Sequence, residues 1–222
     1  MAQSSNVYSL NVVGYYNVTA PAQTLVMIAN QLNTTNNAIQ YVLAPSNAAS
    51  ADGALVYKFG GGNYTILDFD GVDTAPGFPN GYWEQNGNVD TTTTLAPGEG
   101  VFYRAITAST LTFVGEVLQG ALVNTLPVNT LAQRSSMVPQ QGKLTTDLGL
   151  PGEDGDLIYI FGAGNYTIYD FDGVDTAPGF PNGYWELNGN VNEPTINVGQ
   201  AFFFKKIFGG ASSTWLRNFT VQ

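Results

Sequence analysis

Asp68, Asp70 and Asp73 place three carboxylates in the run Asp68-Phe-Asp-Gly-Val-Asp73, and the same run returns as Asp170, Asp172 and Asp175. Hard cations such as calcium take carboxylate oxygens supplemented by backbone carbonyls and water. These six residues are therefore the candidate metal ligands, and calcium is the candidate cofactor. The spacing is not that of an EF-hand, which wants acids at its first, third and fifth positions and glycine at the sixth. Here the acids fall at the first, third and sixth positions with glycine at the fourth. Asp-Gly turns, in which the carboxylate accepts local backbone N–H bonds, are the simpler account of the same residues.

Further along, Phe78, Tyr82, Trp83 and Glu84 add aromatic faces and a fourth acid, repeated as Phe180, Tyr184, Trp185 and Glu186. That combination suits stacking on a sugar ring with hydrogen bonds to its hydroxyls, or contact with another subunit. The alternative is that both tryptophans pack at the base of their loops. Carboxylate pairs can also flank a scissile glycosidic bond. No catalytic motif surrounds these, and one short chain rarely needs two identical active sites.

The rest of the composition narrows the chemistry. The chain of 222 residues holds no Cys and no His, which removes thiolate nucleophiles, disulfides, the usual zinc sites and histidine bases. Seventeen acids against seven bases give a net charge of -10, which disfavours binding to a phosphate backbone, so no nucleic-acid partner is expected. No apolar run is long enough for a membrane-spanning helix. A strand pattern close behind Met1-Ala2-Gln3-Ser4-Ser5 suits a mature secreted protein, and sequons at Asn17, Asn33, Asn63, Asn165 and Asn218 would carry glycans in a suitable host.

What must position the acids is a duplicated unit. The segment from Asn63 to Glu84 recurs from Asn165 to Glu186, at an offset of 102, with one change, Leu67 to Tyr169. Outside it the copies have drifted. Leu95 to Tyr103 corresponds to Ile196 to Phe204 at an offset of 101, and Pro21, Leu25 and Pro45 correspond to Pro127, Leu131 and Pro151 at an offset of 106. The unequal drift has two readings: recent copying of a short stretch, or a requirement that both loops present the same surface to the same thing. The boundary falls near Leu118 to Ala121, giving a first unit of residues 1–118 and a second of 119–222.

Strands are expected at Val7 to Val18, Leu25 to Ala29, Ala54 to Phe59, Tyr64 to Phe69, Gly100 to Ala105 and Thr110 to Val117, with counterparts ending at Thr214 to Val221. A short helical turn is expected between Asn36 and Pro45, and again between Lys143 and Pro151. Gly60-Gly-Gly-Asn63 and Gly162-Ala-Gly-Asn165 read as hairpin turns rather than phosphate cradles, since no helix follows. On the strand from Tyr64, alternation places Tyr64, Ile66, Asp68 and Asp70 on one face and Thr65, Leu67 and Phe69 on the other. The fold class is all-β, two tandem β-sandwich or barrel-like modules packed with pseudo-two-fold symmetry, with one short helical turn each.

Thr24-Leu-Val-Met-Ile-Ala-Asn-Gln-Leu32, Val56-Tyr-Lys-Phe59, Leu95-Ala-Pro-Gly-Glu-Gly-Val-Phe102 and Leu111-Thr-Phe-Val-Gly-Glu-Val117 together resemble modules of secreted bacterial β-repeat proteins of the kind common in Verrucomicrobia and Planctomycetes. The resemblance covers most of both copies. It implies secretion and β structure and transfers no catalytic residue, and the acidic insert departs from the general pattern. The expectation is a non-enzymatic extracellular or cell-surface structural or adhesive protein of bacterial origin. Its acidic loops would support self-assembly or attachment with calcium, its partner being itself or a surface polysaccharide. A carbohydrate-binding module is the alternative and a glycoside hydrolase a remote one.

Overall fold

Gly61 (φ 60°) and Gly62 (φ 85°) turn the chain between two β-branched and aromatic runs, and in the second copy Ala163 (φ 50°) and Gly164 (φ 80°) do the same. Around such turns the chain builds strands almost throughout. The structure is a computed structural model that describes residues 12–207 and 213–221. The first half holds β1 (Val13–Ala20), β2 (Leu25–Ala29), α1 (Ile39–Val42), α2 (Ala48–Ala51), β3 (Leu55–Gly60), β4 (Asn63–Asp70), β5 (Tyr82–Gln85), β6 (Asn88–Val89), β7 (Gly100–Arg104) and β8 (Ser109–Glu116). The second holds β9 (Gly120–Leu126), β10 (Leu131–Arg134), β11 (Gly142–Lys143), β12 (Leu157–Gly162), β13 (Asn165–Asp172), β14 (Tyr184–Leu187), β15 (Asn190–Val191), β16 (Thr195–Ile196), β17 (Phe202–Lys205) and β18 (Ser213–Phe219).

The protein is all-β and duplicated. One six-stranded antiparallel sheet runs β2-β7-β3-β4-β5-β6 and its counterpart runs β10-β17-β12-β13-β14-β15. A two-stranded sheet, β1-β8 in the first copy and β18-β9 in the second, closes each sandwich, and β11-β16 adds a further short ladder. No ladder among the described strands joins the two halves; isolated bridges at Ile28–Gln200 and Glu99–Arg134 do.

The sequence-expected strands lie within a residue or two of these limits, except that residues 7–11 of the first lie outside the described residues. Between Lys143 and Leu150 the helical turn is two overlapping 5→1 turns, with the Asp147 N–H donating to Lys143 O at 3.1 Å and the Gly149 N–H to Thr145 O at 3.0 Å. The hairpins β5-β6 and β14-β15 were not expected from the sequence. They close on Asn86-Gly87 and Asn188-Gly189, all four residues at positive φ, the type I′ signature.

Alternation decides what is buried. In β4, Leu67 and Phe69 point into the sandwich and are 0% and 3% exposed, against Val56, Tyr103, Leu111 and Phe113. Leu122 and Val138 of the second half complete this first core. Trp185, Phe171, Phe202, Phe204 and Trp215 form the second core.

The opposite faces of the two six-stranded sheets meet each other. Met27, Ala29, Phe102, Ala201 and Phe203 are buried there, flanked by Tyr57, Phe59, Tyr159 and Phe161. The contacts repeat about a pseudo-two-fold axis: Phe59 stands edge-on to Phe203 at 5.3 Å and Phe161 edge-on to Phe102 at 5.0 Å. The Ala29 N–H donates to Gly199 O and the Ser135 N–H to Gly98 O, both at 2.9 Å. Gly100 has no room for a side chain, because a Cβ there would stand 2.4 Å from the Cβ of Ala201. Tyr64 and Tyr166, the same position of the repeat, come close enough across this face for their hydroxyls to act on each other.

Candidate functional site

The β4–β5 ladder sets Asp68 directly opposite Glu84 and Asp70 opposite Tyr82; β13–β14 sets Asp170 opposite Glu186 and Asp172 opposite Tyr184. Like charges directly opposite across a ladder repel. Here each pair meets closely enough for the Asp charge to act on the Glu opposite it. Loss of solvent and then the Asp68 charge push the Glu84 carboxyl above its ordinary range. The hydrogen bond to Asp170 and then loss of solvent do the same for Glu186. Tyr82 is raised first by desolvation and then by the Asp70, Glu84 and Asp73 charges.

The loop that follows is wound on its own acids. Asp70 Oδ1 accepts the Val72 N–H at 3.0 Å and the Asp73 N–H at 2.8 Å, and Asp52 Oδ1 accepts the Gly71 N–H at 2.9 Å. The Asp73 amide, with that of Val72, holds the Asp70 carboxyl below its usual range. The second loop repeats this at 3.0, 2.8 and 3.1 Å with Asp172 and Asp154. Both arrangements need glycine: a Cβ on Gly71 would meet Ala48 O at 2.1 Å, and Gly81 (φ 83°) lies against Asp70 O.

Together Asp52, Asp68, Asp70, Asp73 and Glu84 line an open depression of about 390 Å³. Asp52 and its counterpart Asp154 were missed by the sequence reading, although each is followed by glycine as Asp70 is. Among the described residues no three acids converge as a preformed metal shell. One Asp70 oxygen is already committed to backbone amides, so what faces solvent is chiefly the Asp68–Glu84 pair with Asp73 beside it.

The aromatic residues divide. Trp83 and Trp185 are 0% and 2% exposed, so their expected role as stacking platforms is corrected: they are pillars beneath the loops. The Trp83 indole N–H donates to Leu43 O at 3.1 Å and that of Trp185 to Thr145 Oγ1 at 2.8 Å. Gln40 clamps the Trp83 backbone, its Oε1 accepting the Trp83 N–H at 2.9 Å and its Nε2 donating to Trp83 O. Phe78 lies against Tyr41, whereas Phe180 and Tyr184 line a pocket of about 220 Å³ with Asn182 and Glu193. That is smaller than the roughly 300–1,000 Å³ of ligand sites.

Comparison with protein-family models, curated proteins and solved structures yields no match.

Proposed function

We propose that this is a non-enzymatic extracellular scaffold or adhesion protein whose two acidic loops each take a calcium ion, lowering the charge that keeps copies apart. The observation that carries the reading is the cross-strand carboxylate pair, present in both copies at the same register. A pair that repels in the bare fold gives a divalent cation something to relieve, and waters and loop carbonyls complete the shell that carboxylates begin. An open site of this kind binds weakly, at about 10⁻⁴–10⁻³ M, the range of extracellular calcium modules.

Assembly follows from the same charge. At -10 the chain repels its own copies, and neutralising the loops removes much of that barrier. The loops present apolar tips, Val72 and Val174, at 75% and 79% exposure, and the outer face of β1-β8 presents Val13, Tyr15 and Val114. Secretion rests on the sequons and the resemblance to secreted bacterial β-repeat modules. Among the described residues no helix is long and apolar enough to cross a membrane.

Negative-stain microscopy with calcium and with chelator tests this reading: ordered assemblies in calcium support it, and a monomer in both conditions at high concentration refutes it. The second reading, carbohydrate binding, is favoured by the Phe180–Tyr184 pocket alone. It requires that Tyr184→Ala abolish hits on a glycan array.

A further inference from the structure

Lys206 is 2% exposed and Asp156 1% exposed, each one residue beyond the end of neighbouring strands of one sheet. The β12–β17 ladder pairs Leu157 with Lys205, so Asp156 and Lys206 are the next directly opposed positions. Lys206 Nζ lies 2.6 Å from Glu153 Oε2 and 3.7 Å from Asp156 Oδ2. Asp156 Oδ2 also accepts the Glu153 N–H at 3.0 Å, while Asp156 Oδ1 is buried without a hydrogen-bond partner.

The duplicated fold supplies its own control. The positions equivalent to Asp156 and Lys206 in the first copy are Ala54 and Ala105, 0% and 2% exposed. Their backbone roles are conserved: Ala54 O accepts the Phe69 N–H as Asp156 O accepts the Phe171 N–H, and Ala105 O accepts the Gln23 N–H as Lys206 O accepts the Asn129 N–H. The sandwich therefore closes with two alanines, and a buried ion pair is seldom a better source of stability than apolar side chains. An amine and a carboxyl facing each other in a dry site, with a second carboxylate on the amine, are the parts of an amide-forming reaction.

We propose that Lys206 and Asp156 condense to an intramolecular isopeptide bond, with Glu153 as the proton carrier. Glu153 takes a proton from the Lys206 ammonium. The freed Nζ lone pair attacks Asp156 Cγ in its protonated carboxyl, forming the C–N bond. Glu153 gives that proton to the departing hydroxyl and takes the second Nζ proton in its place; the C–O bond breaks, one water leaves, and the half-exposed Glu153 passes the remaining proton to solvent. No oxidant or cofactor enters the balance. Burial, the largest influence on Asp156, pushes its carboxyl toward the neutral form that such attack requires. The bond would clamp the start of β12 to the end of β17, locking the second sandwich against mechanical extension.

The test is the intact mass of the denatured full-length chain, with tandem mass spectrometry of its peptides. The native protein is expected to be lighter than its sequence mass by one water, with a branched peptide joining Lys206 to Asp156. Lys206→Arg and Asp156→Ala should each restore the full mass, and Glu153→Gln should leave the chain open over the time in which the native chain closes. The double variant Lys206→Ala plus Asp156→Ala, which copies the first module, should fold and keep the full mass. A native chain at full sequence mass overturns the proposal. So does a water loss that survives Lys206→Arg or is reversed by hydroxylamine, which would place it in a succinimide at an Asp-Gly step such as Asp154-Gly155.

Discussion

Asp68 and Glu84 stand directly opposite each other on adjacent strands, two acids in a position where a ladder ordinarily pairs opposite charges. Asp170 and Glu186 repeat the relationship. The carboxylate bonds that wind the two loops repeat one for one, while the residues packed around Phe78 and Trp83 differ from those around Phe180 and Trp185.

Neutralising one member of the pair should relieve the bare fold and disable the response to calcium. Asp68→Asn with Asp170→Asn is expected to raise Tm in chelator by about a degree, since exposed cross-strand charges are worth little. The same variant should lose the rise in Tm that calcium gives the native chain. Differential scanning calorimetry in both conditions reads the two effects together.

The pH dependence has a defined sign. Glu84 and Glu186 are raised in the folded state, so their contribution is fully present below the ordinary glutamate value of 4.5 and is lost as pH rises through the raised values. Asp70 is lowered, so its contribution is present above the ordinary aspartate value of 3.8 and is lost as pH falls through the lowered one. Stability measured in chelator should therefore fall as pH climbs from 4.5, and saturating calcium should flatten that limb.

Trp83 holds the loop from below. Trp83→Ala is expected to cost about 3–5 kcal/mol, as for other large-to-small changes in a core. Gln40→Leu strands the Trp83 backbone N–H and carbonyl and should cost about 1–3 kcal/mol for each group left unsatisfied. Urea denaturation reads both, and neither change should act first on a glycan.

Gly100 carries the contact between the copies. With 2.4 Å to Ala201 Cβ, Gly100→Val forces the sheets apart and should cost about 1–3 kcal/mol, the usual range for overpacking. Gly100→Val plus Ala201→Gly should recover part of the loss.

Much of this architecture was legible in the residues. The strands around Gly60-Gly-Gly-Asn63 and the alternation of Leu67 and Phe69 against Asp68 and Asp70 follow from turn chemistry and a period of two. The β5-β6 hairpin was missed because Tyr82 and Trp83 were read as loop aromatics, although Asn86-Gly87 announces the turn. The opposition of Asp68 and Glu84 could not be read because it depends on register across a long irregular loop. Burial of Trp83 depends on Gln40 and Leu43, far away in sequence. The Lys206–Asp156 pair was invisible for the same reason, since only the β12–β17 ladder brings the two together.

Isothermal titration of the native chain with calcium tests the central claim most directly. Two equivalent weak sites per chain are expected, falling to one in Asp68→Asn plus Glu84→Gln and to none when Asp170→Asn and Glu186→Gln are added. Saturable binding that is unchanged in the fourfold variant, or no binding at millimolar calcium, would contradict it.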